Sequence, residues 1–150
     1  MRFASLMTMT DKDDLIPKLE EQAVLPSMAQ SEIHAGFPSP ATDYMTRAID
    51  LNKELVKHPA ATFYGRVVGD SMIDAGISDG DLVVVRRTTE ANDGDIVVAL
   101  TEETGTTLKR LLHEKGTGRV ILHPENPSMQ DMTFQSIAVQ GVAVKVIKSI

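Results

Sequence analysis

A chain of 150 residues, 42% of them hydrophobic, is long enough for one domain with a buried core and an arm besides. With no Trp and 4% aromatic residues, that core must be built from Val, Ile, Leu, Ala and the 8 Met. A net charge of -6 without a Lys/Arg cluster disfavours direct nucleic-acid binding, the lack of Cys excludes disulfides and thiolate metal sites, and no apolar run is long enough to cross a membrane.

The first seven residues, Met1 to Met7, carry one positive charge and too short an apolar stretch for a signal peptide, so a cytoplasmic protein is expected. Met7 and Met9 are alternative starts. Residues 1–35 hold three basic and six acidic side chains, a net of -3. Leu15, Ile16 and Leu19 suggest a helical turn that Pro17 interrupts, and Pro26 follows. A flexible N-terminal arm that docks rather than folds is expected. The segment Ala35-Gly36-Phe37-Pro38-Ser39-Pro40 reads as an extended, irregular hinge, because Gly and two Pro fall within six residues.

Asp50 is placed to cap a short helix over Leu51–Lys57, which Pro59 ends. From residue 60 the pattern changes to β-rich runs: Thr62–Val68, Asp81–Arg87, Asp95–Thr101, Thr106–Leu112, Arg119–His123 and Ala138–Ile147. Asp79-Gly80, Asn92-Asp93-Gly94, Gly105, Gly116 and Gly118 punctuate them. Short strands at this spacing predict a mainly β domain with a strongly bent sheet or partial barrel.

Two residues could carry chemistry. Ser71 follows the first strong strand in Gly69-Asp70-Ser71-Met72. Ser71-Met72-Ile73-Asp74 has the spacing of a capping box, which is an ordinary structural job for Ser. Alternatively, a Ser at a strand-to-helix turn projects its hydroxyl outward, next to backbone N–H groups able to stabilise an oxyanion. Lys109 lies in Thr106-Thr107-Leu108-Lys109-Arg110-Leu111-Leu112. Both faces of that strand mix charge with Leu, so alternation does not decide whether Lys109 is a solvated edge charge or a desolvated base. Only the neutral amine can take a proton from serine, and burial favours that form. His34, His58, His113 and His123 are rival bases. The acids between Asp70 and Asp81 match no EF-hand loop and read as turn residues, so no metal and no cofactor is expected.

Taken together, these segments resemble the LexA/UmuD family of self-cleaving serine-lysine proteins. Gly69-Asp70-Ser71-Met72 with Ile77-Ser78-Asp79-Gly80-Asp81 looks like the family's nucleophile segment, and Thr107-Leu108-Lys109-Arg110-Leu111 like its lysine strand. Ala35-Gly36-Phe37-Pro38-Ser39-Pro40, Asp50-Leu51-Asn52 and His58-Pro59-Ala60-Ala61-Thr62 are similar to the UmuD branch. The resemblance covers roughly residues 32–147. It implies the LexA C-terminal, signal-peptidase-like fold, with Ser71 as nucleophile, Lys109 as general base and the Asp70 and Ser71 backbone N–H groups as oxyanion hole. Ala35 would supply the scissile carbonyl and Gly36 the leaving amine, which divides the chain into an arm, 1–35, and a protease and dimerisation domain, 36–150.

On the UmuD-type reading, RecA filaments on single-stranded DNA stimulate the cut. The product is then a homodimeric subunit of a UmuC-type translesion DNA polymerase in the SOS mutagenesis response. The acidic residues before the hinge hold no pair of helices at helix-turn-helix spacing, which argues against repression. The alternatives are a LexA-like self-cleaving transcriptional regulator with a reduced DNA-binding arm, and a module that keeps the fold without the chemistry.

Overall fold

The computed structural model describes residues 26–29, 33, 35–36 and 45–150, in two compact units, Met1–Asp50 and Leu51–Ile150. The expected arm over residues 1–25, with its interrupted turn at Leu15–Leu19, and the hinge residues Phe37-Pro38-Ser39-Pro40 lie outside the described residues. In the first unit, β1 (Ser27–Ala29) pairs antiparallel with β2 (Met45–Ala48), with a bulge between Met28 and Ala29. The Ile49 N–H donates to the Pro26 carbonyl at 2.8 Å and closes this ladder. Part of the expected arm is thus a strand, stabilised by partners 16 to 21 residues further along that local patterning does not reveal. Ala35 and Gly36 lie exposed in a bend.

The second unit opens with a short helix, Leu51–Leu55, that ends two residues before the expected Lys57 and buries no side chain. Seven strands follow: β3 (Thr62–Arg66), β4 (Leu82–Arg87), β5 (Ile96–Thr101), β6 (Gly105–His113), β7 (Val120–His123), β8 (Met132–Phe134) and β9 (Ala138–Ile147). They form one antiparallel sheet in the order β3-β4-β9-β5-β6-β7-β8. The mainly β class is as expected; the sheet is open, with β3 and β8 as its edges, rather than closed into a barrel. No helix among the described residues is long and apolar enough to cross a membrane.

Strand sequence and core follow from each other. Val97 and Ala99 point into one apolar cluster, with Leu111, Leu122 and Val142. Val98 points the other way, into a cluster with Met72, Ile77, Val83 and Val85. Such two-sided burial explains why β5 reads as a continuous apolar run instead of alternating with polar residues. β9 joins the two halves of the sheet, pairing with β4 on one side and β5 on the other. Both of its ladders shift register, between Val84 and Val85 and between Val98 and Ala99. Gly141 sits at that crowded junction, where a Cβ would stand 2.5 Å from Val85 Cγ1 and 2.8 Å from the Arg86 carbonyl oxygen.

Candidate active site

The segment between β3 and β4 builds the Ser71 turn. Gly69 has φ of 91°, a left-handed conformation that costs a side chain dearly, and its N–H donates to Asp79 Oδ1 at 2.7 Å. Val67 N–H donates to the Asp81 carbonyl at 2.9 Å, and Gly80 N–H to the Val67 carbonyl at 2.8 Å, so the segment leaves and returns as a closed loop. The little-exposed Asp81 carboxylate accepts from Lys148 Nζ at 2.8 Å and from Ser78 N–H at 2.8 Å. Lys148 first and Ser78 second hold it below the usual carboxylate range against the opposing effect of burial. Met72 and Ile77, both buried, pin the loop to the core.

The capping-box expectation is not realised. A single 3-10 turn spans Ile73–Ala75, Met72 takes the capping position, and no side chain caps it. The Ser71 hydroxyl is engaged elsewhere: Lys109 Nζ donates to Ser71 Oγ at 3.1 Å. Lys109 also donates to Thr107 Oγ1 at 2.7 Å and to the Leu108 carbonyl at 3.2 Å. The solvated-edge alternative for Lys109 fails as well, because β6 is an interior strand between β5 and β7. Partial burial, with no carboxylate among its hydrogen-bond partners in the described residues, pushes the Lys109 amine below its ordinary pKa.

This geometry suits either protonation state. The ammonium has three N–H donors for three acceptors. The neutral amine keeps two, which suffice for Thr107 and the Leu108 carbonyl, and its lone pair then faces the Ser71 hydroxyl. Ser71 and Lys109 lie in a cleft of about 370 Å³ whose walls include Phe63, Val67, Val83 and Leu108. The Asp70 and Ser71 backbone N–H groups donate to no partner among the described residues.

The rival bases lie elsewhere. His113 faces Asp93 at 3.2 Å, His123 faces Asp131 at 2.5 Å, and neither these nor His58 lines the Ser71 cleft. His34 falls outside the described residues. Sequence reasoning passed over Thr107, although its place two residues before Lys109 on one strand face was a usable signal. It also missed the loop after β7, where the Glu125 carbonyl accepts from Asp74 N–H at 2.8 Å and Asn126 Nδ2 donates to the Asp70 carbonyl at 3.0 Å. Arg110 ties that loop to β6 through Glu125, and to the turn before β5 through the Gly94 carbonyl at 2.6 Å.

A family model described as Peptidase S24-like matches residues 26–144. The LexA repressor of Bacillus pumilus (strain SAFR-032) is 38% identical over 141 residues, which are 93% of this chain and 66% of that protein. The LexA repressor of Bacillus cytotoxicus is 37% identical over 133 residues, 89% of this chain and 64% of that protein. That of Bacillus anthracis is 38% identical over 131 residues, 87% and 63% respectively. The chain therefore spans slightly under two thirds of the length of these relatives.

These relatives overturn the UmuD-type expectation. Proteins that match most of this chain are named LexA repressor, so the polymerase-accessory role, the UmuC-type partner and the place in SOS mutagenesis are withdrawn. The physical reason is plain. A serine turn and a lysine strand bear only on the chemistry they could perform, whereas the use made of any product leaves no mark on them.

Proposed function

We infer, from the premise that this chain belongs to the Peptidase S24-like family, that it is a LexA-like regulator which inactivates itself by serine-lysine cleavage between Ala35 and Gly36. The observation that carries this reading is the 3.1 Å contact between Lys109 Nζ and Ser71 Oγ inside a half-apolar cleft.

In this mechanism the neutral Lys109 amine takes the Ser71 hydroxyl proton as Oγ attacks the Ala35 carbonyl carbon. The resulting oxyanion is stabilised by the Asp70 and Ser71 N–H groups. The Ala35–Gly36 C–N bond then breaks, and Lys109 returns its proton to the departing Gly36 amine. Water, deprotonated by the same amine, attacks the Ser71 ester, Lys109 returns that proton to the departing Ser71 Oγ, and residues 1–35 leave with a new carboxylate. Thr107 and the Leu108 carbonyl hold the amine through these proton transfers. Exposure of the Ala35–Gly36 bend supports its accessibility as a substrate.

On this reading the cut separates the segment before Gly36 from the β unit and so switches off a repressor. RecA filaments on single-stranded DNA would stimulate the cut by favouring the hinge in the cleft, in the cytoplasm, as part of an SOS response to DNA damage. Binding of the uncut chain to duplex DNA, lost after cleavage, tests the repressor half of the proposal.

The chemistry is tested by incubating the purified chain alone and weighing its fragments. The expected result is one cut with a new N-terminus at Gly36, at a rate that rises about tenfold per pH unit from neutrality until Lys109 deprotonates. An unshifted Lys is neutral in only about 0.04% of molecules at pH 7. Burial of Lys109 makes the gain from pH 7 to the plateau smaller than the roughly 2500-fold which that fraction would allow. Ser71→Ala and Lys109→Arg should not cleave, since guanidinium does not deprotonate. A rate that levels off near pH 7.5, with Lys109→Arg still active, would assign the base to a histidine instead.

A further inference from the structure

We propose that Asn126 is a positioning residue which aims the Ser71 N–H at the developing oxyanion by gripping the Asp70 carbonyl from behind. The inference rests on the serine-lysine reading of Ser71 and extends it to a residue that touches neither Ser71 Oγ nor Lys109.

The orientation of the Asn126 amide is fixed by chemistry. Its Oδ1 accepts from Ser128 N–H at 3.0 Å and from Ser128 Oγ at 2.8 Å. A backbone N–H can only donate, so the atom facing it must be the oxygen. The other end, Nδ2, is therefore the donor that meets the Asp70 carbonyl at 3.0 Å. That carbonyl and the Ser71 N–H belong to one planar trans peptide unit and point in opposite directions. Holding the oxygen on one side consequently sets where the N–H points on the other.

The same loop grips the turn a second time. Asp74 N–H donates to the Glu125 carbonyl at 2.8 Å, so consecutive residues hold the turn on either side of Ser71. Arg110, the residue after Lys109, is in turn bonded to the Glu125 carboxylate. The strand that carries the base thus also sets the loop that orients the nucleophile's peptide. Contacts spanning 56 residues, from Asp70 to Asn126, make this arrangement invisible to local patterning.

The test uses the full chain and three measurements. Asn126→Ala and Asn126→Asp should each lower the plateau rate of self-cleavage at alkaline pH by roughly ten- to a hundredfold, somewhat less than outright deletion of an oxyanion donor. Asn126→Asp keeps acceptors for Ser128 but sets a carboxylate oxygen against the Asp70 carbonyl in place of the donor, so it should slow cleavage at least as much as Asn126→Ala. In a Ser71→Cys background, the rate of alkylation by iodoacetamide should stay within about twofold when Asn126→Ala is added. That reaction forms an S–C bond and expels iodide without building an oxyanion, so only a displaced or unfolded turn would slow it. Cleavage within twofold of the parent in either Asn126 variant, or alkylation falling in step with cleavage, overturns the inference. Persistent cleavage in Ser71→Ala marks the separate failure of the underlying reading and removes this one with it.

Discussion

Replacing Gly141 with Ala probes the junction that holds the sheet together. The added methyl would lie 2.5 Å from Val85 Cγ1 and 2.8 Å from the Arg86 carbonyl oxygen. Neither neighbour yields readily. Val85 is fully buried, with 0% exposure, and the Arg86 carbonyl belongs to a strand paired with β3 on one side and β9 on the other. Overpacking of this kind costs about 1–3 kcal/mol. Ala also restricts the unfolded chain relative to Gly, which offsets about 0.4–1 kcal/mol where the fold accepts it. The expected net loss is about 1–2 kcal/mol, or roughly 5–15 °C in Tm for a unit of about 100 residues. Thermal unfolding followed by circular dichroism measures it. A Gly141→Ala chain that melts with or above the parent would refute the close approach of β9 to β4.

Two further outcomes follow from burial and exposure. Lys109 binds its proton less tightly when folded than when unfolded, so it makes stability rise with pH between its lowered folded pKa and about 10.4, with no slope from this group below that window. Lys109→Met should accordingly gain stability relative to the parent at pH 7 and lose that advantage as pH approaches 10; a difference in urea unfolding free energy that does not change with pH contradicts this. Val144 and Val146 are exposed on β9, whereas Val142 is buried in the core, so a homodimer interface on that face would use the first two. Light scattering at micromolar concentration should give twice the chain mass, falling to the monomer in Val146→Asp; a monomeric parent counts against the dimer.

Much of the sheet was legible because its strands carry their own signals. Val83–Val85 and Val97–Val98 announce buried strands, and the Gly-containing turns separate them. Three-residue strands such as Ser27–Ala29 and Met132–Phe134 are too short for periodicity to register, and they exist because of their partners. Ser71 and Lys109 were legible as candidates from their own segments, and as a dyad from the family resemblance, but the 3.1 Å contact between them was not. Whether Lys109 is half-buried depends on β6 being interior, and strand order is a property of the whole sheet. Ser71 shows the opposite lesson, since a local capping pattern was present and tertiary contacts overrode it. Asn126-Pro127 reads locally as a turn starter, with nothing to reveal that it reaches back to Asp70.

The strand order has a consequence for the nascent chain. The nucleophile turn lies between β3 and β4, the amine lies in the β5–β8 block, and the two blocks are joined in the sheet only through β9. Synthesis delivers these parts in that sequence, with the joining strand after both. While residues 138–147 are still being made, the segments that carry Ser71 and Lys109 already exist, but the strand through which their blocks join into one sheet does not. Non-local pairing of this kind is slow to close, because the loop entropy must be overcome before the contacts repay it. On the proposed serine-lysine reading, self-cleavage would therefore await β9, the strand that joins the two blocks.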